Sequence, residues 1–311
     1  MPVPVRAFLA RSRLGQWALV IRRVRADYRR FTGRTPAFLR PRRFTEKMQW
    51  RKLFELDPIF AVLSDKLASR DFVAARIGPG RQPELLWTGR DPDAIPFDTL
   101  VPPYVLKSTH GSGHVTIVRD TAALDAAAAR ATARGWLAHP HGALLNEPAY
   151  IHLTPQLTVE RLVVCRDGTA PAEQKVYVFD GRATFVRTNT PDANGYPIFG
   201  DVHTRDWIWL PISWERPHHP VRPPRPTRLS EILALAERLA AGVSHCRVDI
   251  YDCGDTLVVG ELTLYSQSGL VNYDDPTSDF VLGAPWKIRW PMLRALWAIA
   301  ARRWEIRPPR A

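Results

Sequence analysis

Lysine is scarce in this chain. Of its 43 basic residues, 37 are arginines and only Lys47, Lys52, Lys66, Lys107, Lys175 and Lys287 are lysines. Where a composition has drifted so far toward arginine, a surviving lysine hints at a place that wants a compact ammonium rather than a planar guanidinium. Surface chance suffices for Lys47, Lys52 and Lys287. Cysteine is scarcer still. Cys165, Cys246 and Cys253 make an odd count with no C-x-x-C pair, which speaks against a disulfide framework and against a zinc site. Reduced thiols suit the cytoplasm. No unbroken apolar run is long enough to cross a bilayer. The N-terminus shows no apolar core followed by a small-residue cleavage site, so no secretory signal is expected.

What is present describes an ordinary globular protein of 311 residues, 45% hydrophobic and 24% charged. The net charge of +12 is unevenly spread. Residues 1–43 contain twelve arginines and one acid, Asp27, which leaves the other 268 residues close to neutral. A basic, partly amphipathic arm suits an anionic surface, such as the inner face of a membrane or an acidic polymer, and equally suits a solvated basic helix. Nucleic acid is not an expected partner, because no basic stripe or reading motif continues into the rest of the chain.

Residues 5–30 read as one or two amphipathic helices ending near Gly33. Residues 45–63 read as a helix capped by Thr45, and Ser64-Asp65-Lys66 opens another that stops at Gly78-Pro79-Gly80. Tyr104–Lys107 and Val115–Val118 form a hairpin around His110-Gly111-Ser112-Gly113-His114. Thr121–Leu137 is an alanine-rich helix. Leu157–Cys165 and Lys175–Arg187 alternate as strands, with turns at Asp167-Gly168 and Asp180-Gly181. The proline-rich run 215–227 is a surface connector. A helix over 229–241 precedes strands 246–253 and 257–265, and a C-terminal helix spans about 292–304. This order is α+β.

Two features carry chemistry. The first is an acid pair. With a three-residue loop Gly254-Asp255-Thr256, Asp249 on one strand faces Glu261 on the next, whereas an even-length loop would put them on opposite faces. Facing carboxylates repel. A divalent cation relieves this, and oxygen ligands suit Mg²⁺. Solvated acids on an edge hairpin, or salt bridges to Arg247, would relieve it as well. The second is Lys107 at a strand end before Gly111-Ser112-Gly113, which can set an ammonium and backbone amides around phosphate. Neither a P-loop nor a dinucleotide fingerprint is present. His110 and His114, which flank the loop, read as loop-ordering or solvent-facing residues rather than catalysts.

The order of these pieces adds more: a strand lysine and glycine hairpin, Glu160 on a strand, a second strand lysine, Lys175, and the acid pair last. FTEKMQWRKL, SDKLASRDFVAARIG, VLKSTHGSG, QKVYVFDGRATFV, CRVDIY and GELTLYSQSG carry a resemblance to the TupA-like ATP-grasp family. The resemblance implies ATP held between two α+β subdomains. It implies a basic helical extension over 1–60, an N-terminal subdomain over 61–103, a lid over 104–158, a C-terminal subdomain over 159–290 and a final helix over 291–311. Lys107 and Lys175 would contact phosphates, under a mobile cover formed by His110, Gly111, Ser112 and Gly113. Glu160 would line the adenine and ribose pocket, and Lys66 would lie near the nucleotide. Asp249 and Glu261 would bind Mg²⁺. Thr263 stands where many relatives have asparagine, so Thr263, Gln267 or water completes the metal shell. The implied reaction is ADP-forming ligation of a carboxylate to an amine, on a surface glycan or its lipid-linked precursor. A glycosyltransferase, a kinase and a non-catalytic nucleotide-binding scaffold are the rival readings.

Overall fold

The computed structural model describes residues 13–139, 145–192 and 195–288. The expected C-terminal helix lies outside them. In chain order the elements are α1 (Arg13–Thr32), α2 (Phe44–Phe54), α3 (Ile59–Ser64), α4 (Ala68–Ile77), β1 (Leu85–Gly89), β2 (Tyr104–Ser108), β3 (Val115–Val118), α5 (Ala126–Ala138), β4 (Leu157–Arg161), β5 (Ala172–Phe179), β6 (Arg182–Pro191), β7 (Pro197–Thr204), β8 (Trp209–Leu210), α6 (Leu229–Ala240), β9 (His245–Asp252), β10 (Leu257–Thr263) and α7 (Ser278–Gly283). They fall into two compact units. One comprises residues 1–58, 142–148 and 265–311, and the other 59–141 and 149–264.

The first unit is built on α2, all eleven residues of which are buried. Its apolar residues Trp50, Leu53 and Phe54 meet Trp17, Val20, Ile21 and Val24 of α1. Its polar residues survive burial because each is bonded. Thr45 donates its hydroxyl to Asp279 at 2.6 Å. Lys47 donates to the carbonyls of Gly283 and Trp286 at 2.8 and 2.6 Å. Lys52 donates to Ser268 Oγ at 2.6 Å, and burial lowers its pKa to about 8 against the pull of Glu147. Lys47 and Lys52 are therefore interior residues, where the sequence reading left them to surface chance. Thr45 sits inside the helix rather than capping it, because Asp279 has claimed its hydroxyl. Glu46 instead accepts from the backbone N–H groups of Arg42 and Arg43. The expected helix over 45–63 breaks after Phe54, since Pro58 disfavours helical backbone before it.

The second unit carries two antiparallel sheets, ordered β1-β4-β2-β3 and β10-β9-β5-β6-β7-β8. Tyr104, Leu106, Leu157 and Val159 of the smaller sheet bury against Ala129 and Ala133 of α5. The amphipathic face of α6, Ile232, Leu235, Ala236 and Leu239 among others, is buried as well. Asp180 and Gly181 both take positive φ, 47° and 80°, the backbone of a two-residue hairpin turn. The strands β7 and β8 add two members that the sequence pattern did not display, because their residues do not alternate cleanly.

The cysteine expectation is overturned. Cys165 and Cys253 form a disulfide between positions 88 residues apart, with Cα atoms at 5.1 Å. An odd count leaves room for one pair. The turn closed by Cys165 N–H to Thr169 O abuts the β9–β10 tip, and Arg166 pairs with Asp255 at 2.7 Å beside it. Cys246 stays a buried thiol.

Candidate nucleotide and metal site

The acid pair is reached by a different route from the one the sequence suggested. The hairpin loop has four residues, Cys253–Thr256, since Leu257 pairs with Asp252. Continued unbroken, that register would set Asp249 and Glu261 on opposite faces. A bulge at Gly260 restores them: Val259 pairs with Ile250, and Glu261 then pairs with Asp249. Glycine suits the bulge because the ring of Tyr251 lies over it. A Cβ at residue 260 would sit 2.8 Å from Tyr251 Cε2.

Asp249 also lies directly opposite Lys175 of β5. Lys175 Nζ donates to Asp249 Oδ2 at 2.6 Å and lies 2.9 Å from Glu173 Oε1. Arg247 grips the same carboxylate from its own strand, Nε to Oδ1 at 2.6 Å and NH2 to Oδ2 at 2.7 Å. Burial alone would raise the Asp249 pKa. Arg247 and Lys175 outweigh it and hold the carboxylate below its usual range. Arg247 NH2 donates to Thr263 Oγ1 at 3.0 Å, so that hydroxyl is engaged. Glu261 is the more open acid, its side chain 34% exposed with Lys66 Nζ at 3.8 Å. The metal and salt-bridge readings of the acids thus divide between residues, with Asp249 paired and Glu261 accessible. Gln267 belongs to the other unit, in a turn where Gln267, Ser268 and Gly269 all have positive φ.

Lys107 stands near the end of β2. Val105, two residues earlier on the same face, lies opposite Glu160 of β4. Lys107 Nζ accordingly reaches Glu160 Oε2 at 2.8 Å, while Arg70 meets Oε1 at 3.3 Å. Glu160 is a buried counter-charge between two cations.

The glycine loop is tied down at its base. Lys66 takes Thr109 O with its backbone N–H at 3.1 Å and Gly111 O with its ammonium at 2.5 Å. Ser108 Oγ and His114 Nδ1 lie 2.8 Å apart, and His114 stacks on Trp136. His110 is buried against Trp136 O, and burial depresses its pKa. Both histidines order the loop. Ser112 and Gly113 are exposed at its tip.

These elements border a cleft of about 320 Å³. Its lining includes the charged side chains of Lys66, Lys107, Glu173, Asp249 and Glu261 and the apolar ones of Val105, Ile117 and Leu162. Glu160 lines a narrow adjoining cavity with Lys66, Lys107 and Glu261. Lys175 contacts two of the lining residues, Glu173 and Asp249, and Thr263 is reached through Arg247, which grips Asp249. Sequence reading missed Glu173 and Arg70. The signal for Glu173 was available, since it shares a strand face with Lys175 two residues on. Arg70 is brought in by the fold alone.

A model of the family described as TupA-like ATPgrasp matches residues 46–287. The chain belongs to that family. Its members' fold, the ATP-grasp fold, is therefore the fold of this TupA-like protein. No curated protein matches the sequence. Among solved structures, this TupA-like chain is similar to the ATP-grasp ligase PsnB complexed with precursor peptide PsnA2 and AMPPNP. The two share 16% identity with a TM-score of 0.38, over 74% of this chain and 60% of that one. It is similar to a RimK domain ATP-grasp protein from Sphaerobacter thermophilus DSM 20745, at 18% identity and TM-score 0.39, over 71% and 66%. It is also similar to D-alanine–D-alanine ligase from Bacillus anthracis complexed with ATP, at 14% identity and TM-score 0.39, over 77% and 64%. The TupA-like chain thus spans about three-fifths of the length of the first of these.

Proposed function

We propose that the protein is an ATP-dependent carboxylate–amine ligase. The observation that carries this reading is one cleft lined together by ammonium groups, acids and apolar side chains. Apolar lining suits a base, and the ammonium groups suit phosphates. Lys107 and Lys66 are the phosphate-facing cations, and Lys175 holds the charge of Asp249 from the neighbouring strand. Among the described residues no cluster of three or more His, Cys, Asp or Glu side chains could hold a metal by itself. The donor set fits Mg²⁺ nonetheless, because this ion commonly takes one or two carboxylates and completes its shell with phosphate oxygens and water. Glu261 and Asp249 would hold it, and it would neutralise charge on the transferring phosphoryl group.

In the proposed reaction a carboxylate oxygen of the substrate attacks the γ-phosphorus. The bond from that phosphorus to the β–γ bridging oxygen breaks and ADP leaves. An amine nitrogen then attacks the acyl carbon of the acyl-phosphate, inorganic phosphate departs and an amide remains. The protein contributes alignment and fixed positive charge. The exposed Ser112-Gly113 tip is the segment proposed to cover the phosphates and keep water from the acyl-phosphate. The family resemblance points to a uronic-acid or amino-acid carboxylate joined to a surface glycan or its lipid-linked precursor.

The test is ADP release by the full chain with Mg-ATP, a panel of uronic acids and a panel of amines. An amide product is expected, with a rate roughly 100-fold lower in Glu261→Gln. Equal rates in both proteins would remove the metal role from Glu261. A phosphorylated sugar without an amide would make the protein a kinase.

A further inference from the structure

Helix α1 buries one face and exposes the other. Trp17, Val20, Ile21 and Val24 pack on Trp50, Leu53 and Phe54. The residues turned away, Leu14, Ala18, Arg22, Arg25 and Arg29, recur every three or four positions, and all are exposed. That spacing sets them in one stripe along the helix. Arg30 is exposed beside them, with its guanidinium over the Phe31 ring at 5.6 Å. The one acid of α1, Asp27, is held by Arg23 and Asn146 and does not offset the stripe. Arg25 and Arg29 have no acidic partner among the described residues.

Charge alone would suit any polyanion. Exposed apolar residues on this helix and shortly after it narrow the choice. Leu14 is 64% exposed, Phe31 47% and, just beyond the helix, Leu39 81%. Exposed large apolar side chains close in sequence to arginines have a use where headgroups and acyl chains meet, and none along a phosphodiester backbone. The charge is also concentrated toward the ends of the sequence, with a net +11 in residues 1–43 and +6 in 287–311, while 44–286 are net acidic. An anionic plane would therefore attract this face and not the acidic middle of the sequence.

We propose that the exposed face of α1, with Leu39 and its neighbouring arginines, docks the protein on an anionic lipid surface. The contact is peripheral, with the arginines among headgroups and Leu14, Phe31 and Leu39 entering the interface. It stands independently of the ligase reading, because nothing in it uses the cleft.

The test is co-sedimentation of the full chain with phosphatidylcholine vesicles containing 0, 20 or 40% phosphatidylglycerol, at 50 and 200 mM NaCl. Binding is expected to rise with phosphatidylglycerol and to fall with salt. Each arginine near the surface adds roughly fivefold, so Arg25→Glu with Arg29→Glu should weaken binding by at least about 25-fold. Leu39→Ser, at the most exposed apolar position, should weaken binding to the same vesicles without changing its salt dependence. Circular dichroism is expected to show both variants as helical as the native chain. Equal binding to neutral vesicles, or none to anionic ones, would overturn the proposal. So would binding to RNA that is lost in the double variant while vesicle binding is unchanged.

Discussion

His203 shows how a single buried side chain carries a pH dependence. Its ring stacks on Trp207 at 4.0 Å, and its Nδ1 is buried without a hydrogen-bond partner. Burial lowers its pKa from the ordinary 6.5, helped by Arg222 and opposed by Asp201. The unfolded chain then takes up this proton before the folded one does. As pH falls below 6.5, protonation of His203 in the unfolded state draws stability away from the fold. The loss should approach, at most, about 1.4 kcal/mol per pH unit for this group. Urea unfolding at pH 7, 6 and 5 should show stability falling with pH, with a shallower fall in His203→Phe. His110, depressed in the same direction, accounts for a remaining slope. A variant with the native slope would remove His203 from the account.

At the scale of elements, the β9–β10 hairpin decides whether two acids meet. Gly260→Ala forces its new Cβ against the Tyr251 ring at 2.8 Å, so the bulge or the ring must move. Tyr251 lies in the cleft wall. On the proposed reading, affinity for Mg-ATP should fall roughly tenfold while the fold is kept, since a small misplacement in a site costs much and a surface bulge costs little globally. Calorimetric titration with Mg-ATP checks this, and unchanged affinity would mean the bulge is not what sets the rung. The hairpin also shows what was legible in the residues. The pairing of Asp249 with Glu261 was legible from alternation, but the path to it was not. A four-residue loop and a one-residue bulge together restore the pairing that a three-residue loop would have set by itself. Local turn chemistry does not distinguish the two. Helix α2 illustrates the opposite limit. FTEKMQWRKLF reads as a helix, yet nothing in its polar pattern announces that every residue is buried. Its partners Asp279, Gly283 and Trp286 lie more than 230 residues away. Strand lysines, glycine loop and acids were readable because each is a local pattern. The Cys165–Cys253 disulfide was not, because its two turns are brought together only by the sheet.

For the whole molecule, the charged cleft and the basic helix α1 belong to separate compact units. If Mg-ATP binds the cleft, a concentration one hundred times Kd should stabilise the protein by about 2.7 kcal/mol. Hydrogen exchange should slow chiefly within 59–141 and 149–264. Protection confined to the other unit would place the nucleotide elsewhere. The grip of Lys175 and Arg247 on Asp249 then bears on the order of assembly. A carboxylate already satisfied by a guanidinium and an ammonium has little to offer a bare dication. Chelation by the polyphosphate supplies both the missing ligands and the negative charge that can draw Lys175 aside. Magnesium should therefore enter as a complex with its nucleotide, and titration with the naked ion should give no heat.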